Sequence, residues 1–203
     1  LGLDMASCVD LAALVAVSVD TSSGVQRYQV RPSFFTCGDR AAELRKWTAI
    51  EQWEKQGAIT ATPGPAINQT AVANAIIELC EEMDVRGLVY DPRETQNIIN
   101  EVLLYHTIDV IPFAQSHENY HEPTDSFEAA VKSGLVSHDK NPVLAWQFRH
   151  ADCVKTTHDR KKPLKPDPVG APHKTVDGVQ ACVMAYSQAM NFDESAEEVN
   201  VYV

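Results

Sequence analysis

The chain has 203 residues, with 17 basic and 28 acidic side chains, and so a formal net charge of −11 at pH 7. Its 44% hydrophobic and 22% charged residues are typical of a globular domain and exclude a mainly disordered chain. The longest strongly apolar stretch, Leu11 to Val19, is far shorter than the ~20 residues of a transmembrane helix, which excludes a membrane span. The negative total also argues against nucleic acid, because phosphate binding normally uses a basic surface.

The start of the chain and its cysteines indicate the cellular compartment. Asp4 and Asp10 interrupt the apolar start, so no signal peptide is expected. The five cysteines form no C-x-x-C pair, and an odd number without zinc-ligand spacing is typical of reduced thiols in a cytosol. The chain starts abruptly and without Met, so we expect a domain of a longer protein or a processed chain.

Three strands are predicted before the first helix. Leu1 to Asp4 is the first, and residues 11–20, an apolar run rich in Val and Ala, form a buried second strand. Residues 25–36 alternate in polarity and carry Tyr and Phe, which favours a third strand. The turn signal from Thr21 to Gly24 predicts a hairpin, so this half of the sheet is expected to be antiparallel.

Helices and strands then alternate. Asp39 is a candidate cap for a helix that carries Leu44, Trp47 and Ile50 on one face and ends at Gly57. The other predicted elements are a strand over 58–62, a helix capped by Asn68, a strand over 85–91, a helix opened by Pro92, a strand over 108–114, a helix from Pro123 to Val131 and a helix around 143–148. Such alternation implies crossover connections and parallel strand pairs.

The end of the chain contains a basic segment, a helix and an acidic tail. Residues 155–174 carry six basic and two acidic side chains and four prolines, which predicts a basic loop, and Asp177 begins the last helix. We therefore expect an α/β fold with a mixed β-sheet, antiparallel at first and then parallel, flanked by helices on both faces. One domain is expected over residues 1–190, followed by an acidic, frayed tail over residues 191–203.

Three aspartates occur where strands and helices end. Asp4 lies inside the first strand, Asp91 ends a second apolar strand, and Asp177 opens the last helix. A buried carboxylate is costly unless it is paired or bound to a metal ion, and clustered carboxylates are what two-metal phosphodiester hydrolysis requires. From the residues alone, it is equally open that Asp91 and Asp177 are helix caps and Asp4 a turn residue. Asp10 is either a fourth carboxylate or the cap of a turn.

The segment His117-Glu-Asn-Tyr-His121 matches the H-E-x-x-H pattern of zinc proteases. That chemistry needs both His side chains on one helical face, with the Glu as base. Pro112 and Pro123 flank the segment, so no long supporting helix is expected. We expect a solvated polar loop here and keep a zinc metalloprotease through His117 and His121 as an alternative.

The basic segment immediately precedes Asp177, which would put its cations beside a phosphodiester bound at the three acids. Arg160, Lys162, Lys165 and Lys174 are candidate DNA contacts, although a run of lysines is otherwise typical of a solvated face. The segment carries +4 and the rest of the chain −15, part of which lies in the acid cluster. Bound divalent cations would reverse the local sign, so the negative total does not exclude DNA, and weak, salt-sensitive binding is expected.

Short motifs occur in a specific order along nearly the whole chain. They are Gly2-Leu-Asp-Met-Ala-Ser with Asp10-Leu-Ala-Ala-Leu, Trp53 with Gly57-Ala-Ile-Thr and Thr62-Pro-Gly64, Leu88-Val-Tyr-Asp-Pro92, Gly134-Leu with His138 and Asn141-Pro-Val-Leu-Ala-Trp146, and Lys165-Pro with Val176-Asp-Gly-Val-Gln-Ala181. In this order the motifs resemble the C-terminal nuclease domain of the large terminase subunit of tailed bacteriophages.

The resemblance implies an RNase H-like fold and endonuclease cleavage of concatemeric viral DNA during genome packaging. It implies that Asp4, Asp91 and Asp177 are the catalytic residues and the ligands of two Mg²⁺ or Mn²⁺ ions. The implied partners are double-stranded DNA, an N-terminal ATPase domain, the small terminase subunit and the portal protein, with no membrane. The implied location is the cytoplasm of the infected bacterial host, outside the mature virion.

Two further alternatives stay open. A catalytically silent RNase H-like module that docks DNA or the portal would share this fold. A sugar-kinase or actin-like ATPase half also carries an early Asp in its first strand, but the glycine-rich phosphate hairpin expected after that Asp is missing from Met5 to Cys8.

Overall fold

The computed structural model describes residues 1–6, 10–155, 159–164, 170–171 and 173–192. The strands are β1 (Gly2–Asp4), β2 (Ala12–Asp20), β3 (Arg27–Cys37), β4 (Thr60–Thr62), β5 (Gly87–Tyr90), β6 (Asp109–Pro112), β7 (Val136–His138), β8 (Asp152–Lys155) and β9 (Lys161–Leu164). The helices are α1 (Gly38–Leu44), α2 (Ile50–Lys55), α3 (Gln69–Glu82), α4 (Gln96–Leu103), α5 (His117–Lys132), α6 (Pro142–His150) and α7 (Asp177–Ala189). No helix in these ranges has the length and apolar character needed to span a bilayer.

Seven of the described strands form one mixed sheet. Its order is β4-β3-β2-β1-β5-β6, and β7 also pairs with β3. The first three strands pair antiparallel, whereas β4, β5, β6 and β7 join the sheet in parallel. Leu3 of β1 lies opposite Leu14 of β2 on one side and Tyr90 of β5 on the other. The expected sheet, antiparallel at first and then parallel, is confirmed.

Helices cover both faces of this sheet, as predicted. Ala13 and Val15 of β2 belong to a core with α5, α6 and α7, whereas Ala12 and Leu14 belong to a core with α3 and α4. A strand buried on both faces is apolar at nearly every position, which explains the uninterrupted apolar run in this strand. Each fully buried Leu or Val side chain stabilises the fold by roughly 1.5–3 kcal/mol, so the two cores hold the central strands firmly.

The last helix lies very close to the sheet because glycine occupies two contact points. A Cβ atom on Gly2 would lie 2.1 Å from the carbonyl oxygen of Ala181, and one on Gly178 would lie 2.5 Å from Cζ of Phe34. Only a residue without a side chain permits these approaches. The N-terminal end of α7 is therefore held directly against β1 and β3.

The single helix predicted from Asp39 onward is wrong. The segment forms two short helices, α1 and α2, and Asp39 lies in the first turn of α1, whose N-cap position is Cys37. In the turn that follows α1, the N–H and the hydroxyl of Thr48 both donate to the Leu44 carbonyl. Trp47 lies in the connection with 64% of its surface exposed, instead of on a buried face.

The loop predicted around the H-E-x-x-H pattern is also wrong. α5 begins at His117 rather than at Pro123, because the Ser116 side chain accepts the N–H of Asn119 and caps the first turn. An interior proline removes one helical hydrogen bond, but the buried Tyr120 ring on the same helix anchors this turn in the core.

The basic loop predicted over residues 155–174 is wrong in part. Asp152–Lys155 pairs antiparallel with Lys161–Leu164 and forms a hairpin, called here the β8–β9 hairpin. Pro163 is tolerated because an edge strand does not need every N–H for pairing. Lys165 lies outside the described residues.

Candidate metal centre

A cleft of about 590 Å³ opens at the edge of the sheet where β1 and β5 end. Asp4 is the last residue of β1, and Asp91 directly follows β5. Because the two strands are parallel neighbours, their carboxyl ends meet at the same edge and bring both aspartates to the cleft. Asp10 lines the same cleft.

Asp177 reaches this cleft from the first turn of α7. The buried amide of Gln147 orients that end of the helix. Its Oε1 accepts the N–H of Gly178 at 2.7 Å, and its Nε2 donates to the hydroxyl of Thr175 at 2.7 Å. The structure therefore brings the three predicted acids together, although they are far apart in the chain.

The three carboxylates are buried, with 6% of Asp4, 9% of Asp91 and 6% of Asp177 exposed. Burial raises the pKa of Asp4 well above its usual value, the nearby Asp177 carboxylate raises it further, and the hydrogen bond from Gln115 lowers it. Divalent cations would relieve the repulsion between such crowded acids. Carboxylate oxygens are also the ligands that Mg²⁺ and Mn²⁺ prefer, so the residues fit these ions.

The carboxylates are engaged in local hydrogen bonds. Oδ1 of Asp4 accepts the Nε2–H of Gln115 at 2.8 Å. Among the described residues, no three His, Cys, Asp or Glu side chains already stand in an arrangement that holds a metal ion.

Asp91 also organises the turn that leads into α4. Its Oδ1 accepts the N–H of Arg93 at 3.1 Å, and its carbonyl oxygen accepts the hydroxyl of Thr95 at 2.6 Å. This turn delays the helix, which begins at Gln96 rather than at the predicted Pro92. Asp91 thus stabilises a turn and lines the cleft at the same time.

Lys162 brings a positive charge to the same region from the β8–β9 hairpin. Its ammonium donates to the main-chain oxygen of Gln115 at 2.5 Å and lies 5.3 Å from the centre of the Tyr120 ring. Burial lowers the pKa of Lys162, and the negative charge of Asp4 opposes this change. The pKa of the buried Tyr120 is raised by burial and by Asp4.

The other predicted DNA contacts are placed differently. Arg160 lies 3.6 Å from Glu118 of α5, so its guanidinium forms an ion pair with that helix. Lys174 is half-buried and precedes α7 by three residues. Among these candidate DNA contacts, Lys162 bonds to Gln115, a residue that lines the cleft with the three aspartates.

The two histidines of the H-E-x-x-H pattern lie one turn apart on α5. Nδ1 of His121 accepts the main-chain N–H of Lys161 at 3.3 Å and lies 3.5 Å from Oδ2 of Asp125. His121 therefore helps to attach the β8–β9 hairpin to α5. The helix that the zinc metalloprotease alternative needs is present. In the described part of the chain, however, no group of three His, Cys, Asp or Glu side chains that could hold a metal ion is found, with or without these histidines.

Three glutamines of this region escaped sequence reasoning. The amide of Gln115 donates to Asp4, and the amide of Gln180 donates to the carbonyl of Pro163. The side-chain oxygen of Gln147 accepts a hydrogen bond at the start of α7. Gln115 carried one usable signal, because it follows β6, a parallel strand whose carboxyl end meets the same edge of the sheet. Gln147 lies inside a helix, and no sequence signal marked its role.

A mixed sheet in this order, with helices on both faces and an aspartate at the end of its central strand, is an RNase H-like fold. The family model described as "Terminase large subunit, endonuclease domain" matches residues 1–193. The chain therefore belongs to this family, and the resemblance drawn from the motifs is confirmed.

Two curated relatives match most of the chain. The large terminase subunit of Enterobacteria phage HK97 is 25% identical over 191 residues, which cover 93% of this chain and 36% of that protein. Protein YmfN of Escherichia coli K12 is 24% identical over 201 residues, which cover 96% of this chain and 44% of that protein. The chain thus spans less than half the length of the curated relatives it matches.

Solved structures confirm the fold. The HK97 bacteriophage large terminase superposes with a TM-score of 0.81 at 22% identity, over 92% of this chain and 38% of that one. The large terminase nuclease from thermophilic phage G20c with bound magnesium gives a TM-score of 0.55 at 14% identity, over 92% of this chain and 79% of that one.

Proposed function

We propose that this domain is a metal-dependent DNA endonuclease that cuts concatemeric viral DNA during genome packaging. The observation that carries the proposal is the convergence of the buried Asp4, Asp91 and Asp177 on one cleft. Crowded, buried acids destabilise a metal-free fold, so a ligand of opposite charge explains their presence. Membership of the terminase nuclease family and the magnesium bound to the G20c nuclease support this function.

The proposed roles follow from the positions of the side chains. Asp4, at the end of the central strand, would hold two Mg²⁺ or Mn²⁺ ions together with Asp91 and Asp177. When bound, the two ions lower the pKa of the attacking water and neutralise the leaving 3′ oxygen. Lys162 supplies positive charge at the edge of the cleft, where a DNA phosphate would lie. Arg160, Lys165 and Lys174 are proposed as outer contacts to the DNA backbone.

The proposed partners extend beyond the domain. They are double-stranded DNA, an N-terminal ATPase domain, the small terminase subunit and the portal protein, in the cytoplasm of the infected host and outside the mature virion. Weak, salt-sensitive DNA binding is proposed for the isolated domain. The division into one domain over residues 1–190 and an acidic tail over residues 191–203 also stays a prediction; residues 193–203 lie outside the described residues.

Cleavage of supercoiled plasmid with Mn²⁺ tests the proposed function. Asp4→Ala, Asp91→Ala and Asp177→Ala should each reduce the rate by at least about 100-fold, because metal-ion catalysis contributes several kcal/mol of charge stabilisation in the transition state. Circular dichroism should show an intact fold in each variant.

Asp109→Ala is the matched control, since this exposed aspartate lies on β6 at the opposite end of the sheet. Its rate should equal that of the wild type. A wild-type domain that binds Mn²⁺ but never nicks DNA would favour the silent docking module. Stoichiometric zinc in the purified protein would instead favour the metalloprotease.

A further inference from the structure

The short segment between β6 and α5 is fixed at both ends. The N–H of Phe113 donates to the Tyr90 carbonyl at 2.8 Å and ties the segment to β5. The side-chain amide of Asn119 donates to the Ala114 carbonyl at 2.9 Å and ties it to α5. The backbone of the next residue, Gln115, is therefore held in place before its side chain makes any contact.

Gln115 makes two bonds, one through its side chain and one through its main chain. Its side-chain Nε2–H donates to Oδ1 of Asp4 at 2.8 Å. Its main-chain oxygen accepts the ammonium of Lys162 at 2.5 Å. One residue thus connects the central carboxylate to the cation of the β8–β9 hairpin.

We infer that Gln115 is a positioning residue, whose amide sets the orientation of the Asp4 carboxylate for metal binding and whose carbonyl sets the place of the Lys162 ammonium. The inference rests on the proposed function. Gln115 contacts neither DNA nor ions in this role and acts only through Asp4 and Lys162.

The chemistry of an amide suits this task. A Lys or Arg at position 115 would also bond to Asp4, but it would neutralise the carboxylate and compete with a metal ion. A neutral donor restricts the rotation of the carboxylate and leaves its charge available. Partners of this kind, hydrogen-bonded to a metal ligand, typically contribute 10–100-fold to metal affinity.

The two bonds of Gln115 can be separated by mutation. The bond to Asp4 depends on the side chain, whereas the bond to Lys162 uses the main-chain oxygen, which every substitution retains. Gln115→Met keeps the length of the side chain and removes the donor. Lys162→Met removes the cation and leaves the contact between Gln115 and Asp4.

Calorimetric titration with Mn²⁺ alone, without DNA, is the decisive measurement. Gln115→Met should bind Mn²⁺ about 10–100-fold more weakly than the wild type. At saturating Mn²⁺ its KM for DNA should stay unchanged. Lys162→Met should show the opposite pattern, with Mn²⁺ affinity unchanged or tighter and a raised KM.

Gln96→Met is the matched control, because this exposed glutamine also donates one side-chain hydrogen bond, to Asn100 at 2.9 Å, away from the cleft. It should leave Mn²⁺ affinity unchanged. If Gln115→Met fails to fold, Gln115→Ala, which fills less space, is measured by the shift of its unfolding midpoint with added Mn²⁺.

The outcomes separate the inference from the proposed function. A wild-type domain that binds no Mn²⁺ contradicts the function and with it the inference. A wild type that binds Mn²⁺ no more tightly than Gln115→Met or Gln115→Ala contradicts the inference alone.

Discussion

The two elements that border the acid cleft are attached to the rest of the molecule by different forces. α7, which carries Asp177, has 11 of its 13 residues buried. The β8–β9 hairpin, which carries Lys162, is attached by polar contacts: hydrogen bonds from the Lys161 N–H to His121 and from Gln180 to the Pro163 carbonyl, and ion pairs with α5. The ion pairs join Lys161 to Asp125 and Glu128, and Arg160 to Glu118.

This difference divides the site into a rigid part and an adjustable part. Close apolar packing is insensitive to salt, and disturbing it costs several kcal/mol. An ion pair at the surface contributes only about 0–1 kcal/mol and is screened by salt. The proposed metal ligand Asp177 therefore lies on an element that is costly to displace, whereas Lys162, the proposed DNA contact, lies on one attached by weaker polar contacts.

The largest expected effect is on the packing of α7. Gly2→Ala would place a Cβ atom 2.1 Å from the Ala181 carbonyl oxygen, and main-chain atoms cannot turn away as a side chain can. We expect a loss of about 3 kcal/mol, at the upper end of overpacking costs. For a domain of this size, that lowers the thermal midpoint by about 6–12 °C.

Gly24→Ala is the control for this prediction. Gly24 lies in the turn between β2 and β3 with φ +74°, and a Cβ atom on it would have no described residue within 4 Å apart from its two chain neighbours. It should lose only about 1 kcal/mol through backbone strain. A Gly2→Ala protein as stable as Gly24→Ala would mean that α7 is not tightly packed on β1.

The second effect concerns the charge of Asp4 on the rigid side of the cleft. Its pKa is raised above the usual value of 3.8, so above that pH the folded state holds a proton that the unfolded chain has released. The free energy of unfolding of the metal-free protein therefore falls as the pH rises through the interval between the two pKa values. Asp4→Asn removes this cost and should raise the metal-free thermal midpoint at pH 7.

Added Mn²⁺ should make the wild type more thermally stable than Asp4→Asn. At 100 times its Kd a ligand stabilises the folded state by about 2.7 kcal/mol, and only the wild type keeps the central carboxylate. Thermal melts with and without Mn²⁺ check this, with Asp109→Asn as the control that shows neither change. A metal-free Asp4→Asn protein less stable than the wild type would contradict the assigned burial cost.

The rigid part of the site was also the part that the sequence made predictable. Apolar strand patterns placed Asp4 in the first predicted strand and Asp91 at the end of another, and the family resemblance implied that both belong to one site. Asp177 opens a helix with strong apolar periodicity. Each position follows from local rules that tertiary structure did not override.

The adjustable part was not predictable, for a physical reason. The β8–β9 hairpin contains Pro163 and several lysines, and its strands form where α5 supplies Asp125 and Glu128 as distant partners. Such pairing has no local periodicity. The start of α5 was misread because the cap at Ser116 outweighs an interior proline, and the bonds of Gln147 join residues that no spacing rule connects.

The smallest expected effect on stability comes from the ion pairs of the hairpin. Lys161→Met removes its bonds to Asp125 and Glu128, yet it should lower the free energy of unfolding by at most about 1 kcal/mol. Lys132→Met is the control, since Lys132 also pairs with Glu128 but lies on the same helix and does not reach the hairpin. Hydrogen exchange should show faster exchange of the β9 amides in Lys161→Met and unchanged exchange in Lys132→Met.

High salt and low pH should speed hydrogen exchange of the β9 amides in the wild-type protein, as Lys161→Met does. At 1 M salt the Debye length is about 3 Å, so the pairs are screened and β9 should exchange faster. Bonds from Lys132 and Lys161 lower the pKa of Glu128 to about 2, so its contribution is complete above its usual value of 4.5 and is lost as the pH falls toward 2. If Lys161→Met instead lowered the thermal midpoint as much as Gly2→Ala, the hairpin would belong to the rigid part of the site.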